Sequence, residues 1–521
     1  MKASPLSELL LLRRDGWTDP AHPGGANKHH RLYELIKTEI LAGKLAGGTK
    51  LPPSRQLARE LGLSRNTVVY AYEQLLAEEY VVATVGSGTF VNKLVRPLAP
   101  RPAPVADPAT PAAPAMLSQR ARKILRAPGA SPQQWGAFVP GVPDVTLFPH
   151  STWRRLLARH WHRPAPQNLS YSTVAGHPAL RKAVAQHLHM TRSVRCTPEQ
   201  IVITTGIHQA VDLAPRLLDD VGAQARVEDP SYWGLRNAQQ KLQQIRDAQA
   251  RAQAAETSDS AASPPPGNNG ADPDLLARAG GPRFIFATPS HQYPLGTVMS
   301  LQRRLMLLDY IGKNNCWLVE DDYDSEYRFG GDPLASMQGL DSHGRVLYTG
   351  TFSKTLFPGL RTGYIVLPPG LVDAAATLLS ELYREGQLIQ QAVLADFISE
   401  GHYAAHIRRT RQSYAERQAA MREAIALELG ADWPVLTQGA MGLHLVLGLP
   451  ADCDDVALAA DLLRECIFVK PLSRYYLDPT RAQPGLLMGF ACVDVAPIRT
   501  GVATLAQVIR RQLPGAGRRR A

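Results

Sequence analysis

Seven prolines fall within 21 residues between Val95 and Ala115, at positions 97, 100, 102, 104, 108, 111 and 114, mixed with Ala, Val and Arg. Proline fixes φ and removes a backbone donor, so this stretch suits neither a helix interior nor a central strand and favours a solvated, semi-extended linker. The chain must therefore fold as separate blocks with a boundary near residue 95, and residues 95–134 are read as a Pro/Ala-rich linker. Its 521 residues exceed one domain of roughly 100 to 200 residues. A composition of 45% hydrophobic and 20% charged residues is that of a globular protein able to bury a large core. A second low-complexity stretch contains AQAAETSDSAASPPPGNNGADPD and lacks apolar periodicity, so residues 249–274 are expected to form a disordered insertion.

Five cysteines, at 196, 316, 453, 466 and 492, form no CxxC pair, so neither a disulfide framework nor a metal site is expected, and a reducing cytoplasm fits best. The apolar stretch Leu9 to Leu12 follows Glu8 and is too short for a signal-peptide core. No run approaches the ~20 apolar residues of a membrane span, so no membrane partner is expected. Lys+Arg outnumber Asp+Glu by 57 to 46, a net charge of +11. That excess suits nucleic acid, but some of it lies in a plain tail at Arg518, Arg519 and Arg520, so it must be located before it means anything.

In the small block, Leu32, Leu35, Ile36 and Ile40 recur at helical spacing until Gly43, Gly47 and Gly48 end the pattern. Pro52 and Pro53 precede Ser54, read as the N-cap of SRQLARELG, in which Leu57, Ala58 and Leu61 form one apolar stripe. After the Gly62-Leu63 turn, Ser64 caps RNTVVYAYEQLLAEEY. Val68, Tyr72, Leu75 and Leu76 make its buried face, and Arg65, Asn66 and Thr67 project from its first turn. Val81 to Val85, the turn Gly86-Ser87-Gly88 and Thr89 to Val91 read as a hairpin, completing a mainly α winged helix-turn-helix over residues 28–94. The first turn of a recognition helix enters the major groove, where Arg and Asn reach base edges and Thr reaches phosphate or a thymine methyl. The plainer alternative is a winged helix used for protein contacts, with Arg55 and Arg65 as solvated charges.

The strings LPPSRQLARELGLSRNTVVYAYEQLLAEEY and GSGTFV resemble the DNA-binding domain of GntR-type bacterial regulators over about residues 30–93. The resemblance implies double-stranded operator DNA as partner, contacted by Ser54, Arg55, Arg65, Asn66, Thr67 and Gly88.

In the large block, residues 135–515, short apolar strands alternate with helical segments: QIVITTG, RFIFATPS, CWLVEDDYD, RVLYTGTFSK and TGYIVLP. This order predicts an α/β domain with a largely parallel sheet and active residues at strand C-termini. In WLVEDDYDSEY the two-residue repeat puts Asp321 and Tyr323 on one face and Asp322 on the other. Position 354 lies 33 residues after 321, and there a single lysine stands among small hydroxylated residues in TGTFSKTLFPGLRTGY. A lysine amine condenses with aldehydes, and pyridoxal phosphate further needs an acid for its ring nitrogen and a cup for its phosphate. Asp321, Tyr323, Ser353 and Arg361 are of the right kinds, since a carboxylate favours a pyridinium and Arg pairs bidentately with phosphate. In ITTGIHQ a strand runs through a glycine turn into a helix, where Gly206 and Ile207 present backbone N–H groups to an anion. EDPSYWG offers Tyr232 as a stacking ring. Taken singly, an SxK triplet is common by chance and an EDD run is most often a solvated loop or helix cap; the ordered set carries the reading.

That set, with TPSHQYPLGTVMSLQRR, EDDYDSEYR and PLSRYY, resembles the fold-type I, class I aminotransferase family, and its fusion to the small block resembles the MocR-type regulators of the GntR superfamily. The resemblance implies a cytoplasmic, homodimeric transcription regulator in which Lys354 holds pyridoxal 5'-phosphate as an internal aldimine and an amine, an amino acid or the cofactor itself is sensed. By matching position it implies Tyr232 as the stacking ring, Asp321 as partner of the ring nitrogen, Tyr323 near the ring oxygen, and Ser353 and Arg361 on the phosphate. Tyr171 matches the tyrosine that reaches a neighbouring subunit's cofactor, against the plainer reading of a buried loop anchor.

Departures from the pattern matter as much. Where aminotransferases carry an NPxG turn, this chain has Tyr293-Pro294-Leu295-Gly296, leaving His291 or Gln292 to serve the ring oxygen, as is usual in MocR-type regulators. His208 stands where Gln is commoner, and position 234 is Gly rather than a cationic residue. Leu487 and Met488 occupy a region where an aminotransferase often places its carboxylate-binding Arg, so Arg474 becomes the candidate for the effector. The competing function is a working aminotransferase with an accessory DNA-binding domain; a third is a regulator whose large domain has lost the cofactor, which the joint presence of Lys354, Asp321 and Arg361 opposes.

Overall fold

The computed structural model describes residues 28–84, 86–95, 135–170, 175–219, 224–254, 283–331, 334–384 and 386–513, with isolated positions 6, 117, 122 and 125. Two compact units divide between Leu125 and Arg126, within residues 95–134 but beyond the proline cluster that ends at Pro114. Most of the expected 95–134 linker, Tyr171 and the 255–274 part of the expected insertion lie outside the described residues.

The first unit contains helices α1 (Lys28–Leu41), α2 (Ser54–Leu61) and α3 (Arg65–Ala77), then the antiparallel hairpin of β1 (Val81–Thr84) and β2 (Gly88–Val91). Leu32, Ile36, Ile40, Leu57, Val68, Leu75, Val81 and Val91 close one core. Tyr33 and Ala71 join it, while Leu35 and Leu76 are only partly covered. Ser64 caps α3 by accepting the Thr67 N–H at 3.1 Å. Ser54 is corrected: Pro53, at φ −55° and ψ 142°, holds the cap position, and Ser54 is the first helical residue, with no side-chain cap bond made there. The proline ring presets the φ needed for entry, so the turn forms without a hydroxyl.

The second unit is an α/β domain. In chain order it contains α4 (His150–His162), α5 (Pro178–Arg192), β3 (Ile201–Thr204), α6 (Ile207–Leu218), β4 (Ala225–Val227), α7 (Trp233–Ala254), β5 (Phe284–Ala287), α8 (Leu301–Lys313), β6 (Trp317–Asp322), α9 (Met337–Leu340), β7 (Val346–Thr351) and β8 (Gly363–Val366). There follow α10 (Val372–Tyr383), α11 (Leu388–Ser399), α12 (His402–Leu429), β9 (His444–Gly448), α13 (Asp455–Arg464), β10 (Lys470–Pro471), β11 (Gly485–Gly489) and α14 (Val495–Gln512). The large sheet has six strands in the order β3-β8-β7-β6-β5-β4. β8 pairs antiparallel with both neighbours and the remaining pairs are parallel. The expected largely parallel sheet is thus a mixed one. β3, β5 and β8 are buried along their length, which is why they read as nearly continuous apolar runs rather than alternating ones. A smaller antiparallel sheet, β10-β11-β9, packs with α12 and α14 in the largest core cluster.

β3, β6 and β7 run in one direction, so their C-terminal ends, Thr204, Asp322 and Thr351, emerge along one edge of the sheet. That brings the segments carrying Gly206, Asp321 and Lys354 together. The insertion is corrected at its start: α7 takes in residues 249–254, because Ala, Gln and Arg are good helix formers and extend a helix past its last apolar contact. Among the described residues all five cysteines are free, no group of His, Cys, Asp and Glu suits a metal ion, and no helix is long and apolar enough to cross a membrane.

One buried ion pair ties α5 to the sheet. Arg192 donates through Nε to Asp322 at 2.6 Å, and its other nitrogens reach the Leu334 carbonyl and the Ser290 hydroxyl at 2.5 Å each. Tyr348 donates to the same carboxylate at 2.5 Å. Removing one partner strands the other charge in low dielectric, so Arg192→Ala should destabilise the protein by about 3 to 5 kcal/mol. Lys313→Ala, which breaks an exposed i,i+4 pair with Asp309, should leave the urea midpoint nearly unchanged. Equal midpoints for the two variants would contradict the assignment.

Candidate functional site

β6 ends in Glu320, Asp321 and Asp322, all buried, followed by half-buried Tyr323 and buried Asp324. Each acid has a different partner. Glu320 accepts the backbone N–H groups of Met337 and Gln338 at 3.0 Å, Asp322 pairs with Arg192, and Asp321 keeps one oxygen, Oδ1, buried without a hydrogen-bond partner. Burial first, then the charges of Asp322 and Asp324, pushes the Asp321 carboxyl up to about 8, against the pull of Lys354. Burial likewise lifts Glu228 and Glu320 to about 7. A buried carboxyl with an unused oxygen is set to pair with a cationic or N–H donor.

Lys354 stands in the turn after β7 and donates through Nζ to the Gly141 carbonyl at 2.8 Å. Burial lowers its pKa, opposed by Asp324 and Asp321, which draws the amine toward its neutral, nucleophilic form. Ser353 donates its N–H to the Thr351 hydroxyl at 3.1 Å, leaving its own hydroxyl at the same turn.

Gly206 opens α6 at φ 119°, a conformation that L side chains rarely adopt. A methyl group there would stand 3.6 Å from Arg361 Nη2, so the guanidinium lies beside the helix start and its free N–H groups. A cavity of about 140 Å³ adjoins this point, lined among others by Thr204, Thr205, Gln209, Arg361, Thr362 and Gln391.

Tyr232 is half-buried, with its hydroxyl 2.7 Å from His208 Nε2. His208 is therefore more than a surface histidine. Burial, then the Arg361 and Lys354 charges, lower its pKa. The neutral ring takes the space beside Gly234, where a methyl would come within 2.7 Å of both His208 and Tyr232. The missing cation at 234 and the unusual histidine at 208 are thus one feature. Tyr293 meets Tyr232, Tyr323 and Tyr475 edge-on, with centroids 5.8, 5.7 and 5.5 Å apart. Gln292 is consumed by its turn, donating to the Pro230 and Tyr293 carbonyls and accepting from the Leu295 N–H. His291 instead meets Tyr323 and Asp324.

Electrostatic coupling links these groups: Lys354 acts on Asp321 and His208, and Asp321 and Arg361 act on Tyr232. Arg474 is exposed in the turn Leu472–Tyr475. That turn is held to the Tyr232 segment by Ser231 N–H donating to the Tyr475 carbonyl at 3.0 Å. Leu487 and Met488 are buried in β11, so neither offers a polar group.

In the first unit, Arg55, Arg65 and Asn66 are exposed, while Ser54 and Thr67 are half-buried. The Thr67 hydroxyl lies 2.8 Å from that of Ser64. Gly88 has φ 115°, and a methyl on it would come within 3.0 Å of Lys50 Cε. Exposed Lys50 therefore stands beside the hairpin, 38 positions before Gly88 in sequence. No local pattern joins the two; only the hairpin's pairing across Lys50–Phe90 does.

Residues 147–487 match the family model described as aminotransferase class I and II, and residues 28–91 match that of the bacterial regulatory proteins of the gntR family. The chain is 39% identical over 479 residues to the probable rhizopine catabolism regulatory protein MocR of Rhizobium meliloti, covering 92% of each. It is 30% identical over 483 residues to the HTH-type pyridoxine biosynthesis transcriptional regulator PdxR of Corynebacterium glutamicum, covering 92% of this chain and 95% of the relative. Among solved structures, the kynurenine aminotransferase of Pyrococcus horikoshii in complex with PMP superposes with a TM-score of 0.60 at 24% identity, over 76% of this chain and 96% of that one. At that identity the likeness concerns the fold.

A carboxyl whose folded pKa exceeds its unfolded value of roughly 4 holds its proton more tightly when folded. Its stabilising contribution is complete at low pH and is lost as pH rises through about 8 for Asp321. Asp321→Asn should therefore raise the melting temperature of the ligand-free protein at pH 9 and change it little at pH 5. A difference independent of pH would contradict this.

Proposed function

Because this chain belongs to the MocR-type transcriptional regulators, which join a gntR-family domain to an aminotransferase class I and II domain, we propose that it binds operator DNA through α3 and the hairpin and senses a small amine through pyridoxal 5'-phosphate held at Lys354. The observation that carries this reading is a buried amine, Lys354, electrostatically coupled to a buried acid with a spare oxygen, Asp321, together with a helix start flanked by Arg361, whose charge and that of Lys354 both act on His208. These residues fit the cofactor. Asp321 suits the ring nitrogen's proton, Tyr232 the ring face, Tyr323 the ring oxygen, and Gly206, Ile207, Ser353 and Arg361 the phosphate.

When bound, pyridoxal phosphate supplies an aldehyde that condenses reversibly with primary amines. The chain's part is to keep the Lys354 amine neutral enough to exchange with an incoming amine, and to hold the acid at Asp321 out of water. Exchange would favour one conformation of the regulator over another, and only differential binding to those conformations, typically about 1 to 3 kcal/mol, can reach the DNA side. A homodimer is proposed because winged helices commonly read paired half-sites and because Tyr171 matches an intersubunit position. A cytoplasmic location accords with the free thiols. The relatives are named for rhizopine catabolism and for pyridoxine biosynthesis, so the effector is proposed here only as an amine or amino acid, with exposed Arg474 as the cation for any carboxylate it carries. The apolar burial of Leu487 and Met488 favours a sensor over a working aminotransferase.

Pyridoxal phosphate added to purified protein should give a visible absorbance band that Lys354→Ala abolishes, with a shift on adding amines and no sustained turnover with a keto acid. Rapid multiple turnover would favour the enzyme; absence of any band would overturn the cofactor. On DNA from its own upstream region, Arg65→Ala should cost about 1 to 3 kcal/mol and relax base preference. Lys50→Ala should weaken binding to all sequences alike and lower the salt slope by about one.

A further inference from the structure

Behind Tyr323 lie two groups that the reading above does not use. Asp324 and His291 are only 1% and 2% exposed. His291 Nδ1 is 3.0 Å from each oxygen of the Asp324 carboxylate and 2.9 Å from the Tyr323 hydroxyl. One ring nitrogen therefore faces two partners and carries at most one proton. With the proton on Nδ1, the ring donates to Asp324, and Tyr323 keeps its phenolic hydrogen for an acceptor elsewhere. With the proton on Nε2, Tyr323 donates to Nδ1 and the carboxylate confronts a lone pair.

The surroundings select the first arrangement. Nε2 is buried with no hydrogen-bond partner, so a proton there would be an orphaned donor, costing about 1 to 3 kcal/mol. The same cost weighs against a doubly protonated ring. Nor is there room for the ring to turn. A methyl at Gly296 would lie 3.0 Å from Nε2, and one at Gly442, where φ is 82°, would run into the imidazole. His444 closes another side at 5.8 Å between centroids, fixed through Nε2 to the Pro294 carbonyl at 2.8 Å. The charged and titratable neighbours of this group are Asp321, Asp322 and Glu326 from the end of β6, Lys354 from the turn after β7, Glu228, Tyr293 and His444.

We propose that Asp324 and His291 form a positioning pair that keeps Nδ1 protonated and thereby reserves the phenolic hydrogen of Tyr323 for an acceptor oxygen of whatever ligand occupies the Lys354 site. Asp324 sets the tautomer, His291 transmits it, and Gly296 and Gly442 are the space the imidazole needs. The pair itself is a property of the protein alone; that its beneficiary is the cofactor's ring oxygen rests on the reading under Proposed function.

Nitrogen-15 NMR of histidine-labelled protein without added cofactor tests the pair directly, with His291→Gln assigning the resonance. The expected result is the Nδ1–H tautomer for His291 in the wild type and a shift toward Nε2–H in Asp324→Asn. An Nε2–H tautomer in the wild type overturns the proposal whether or not Asp324→Asn folds. So does an unchanged tautomer in Asp324→Asn. In cofactor-loaded protein, Asp324→Asn should move the pH midpoint of the visible band by about one unit, and should move it no further once Tyr323→Phe is present. An equal shift with and without the Tyr323 hydroxyl would show that the pair acts by another route. If no band forms in the wild type, the cofactor reading fails, and the tautomer measurement still decides this one.

Discussion

A carboxylate oxygen buried without a partner at the end of β6 is the constraint around which the large unit is arranged. Desolvating an acid is costly unless something compensates it, and near Asp321 the other acids are already committed: Glu320 to backbone N–H groups, Asp322 to Arg192, Asp324 to His291. The charges of Asp322 and Asp324 raise the Asp321 carboxyl further instead of relieving it. The nearby cation that offsets it, Lys354, is itself pushed toward neutrality by burial. An acid and an amine both held away from their usual ionisation at neighbouring strand ends mark a candidate binding site. The direction of β3, β6 and β7 explains why these groups meet, since strands running the same way deliver their ends to one edge.

Much of this was legible in the chain itself. Strands buried on both faces begin as apolar runs, IVI in β3, FIFA in β5, WLV in β6, VLY in β7 and YIV in β8, and Asp321 and Lys354 follow from their positions at or just beyond two of these strand ends. The recognition helix announced itself through Ser64 and the spacing of Val68, Tyr72 and Leu75. Ser54 misled because a proline can provide the entry geometry that a hydroxyl normally stabilises. The helix across residues 249–254 was missed because alanine-rich sequence lacks the apolar rhythm by which helices are found.

What stayed hidden depends on contacts between distant segments. His208 and Gly234 each looked like a departure from pattern; in space the imidazole occupies the volume that a side chain at 234 would need. The meeting of His291 with Asp324 joins two loops 33 positions apart, and nothing periodic links them. Lys50 reaches the hairpin only because its chain neighbours bond to β2, Leu51 N–H donating to the Thr89 carbonyl and Val91 N–H to that of Thr49. Tyrosines 293 and 475 gain their edge-on contacts in the same way. Sequence periodicity reports which face of an element is buried, and it is silent about which hydrogen bonds that burial makes obligatory.

We propose that the amine at position 354 is the one that condenses with a pyridoxal aldehyde. It has a real competitor, for Lys470 is also half-buried with its pKa lowered by burial and by the charge of Arg474. Borohydride reduction of the cofactor-treated protein followed by peptide mass mapping distinguishes them. One stoichiometric pyridoxyl adduct, located at Lys354, is expected. An adduct mainly at Lys470, or one spread over surface lysines, would contradict it.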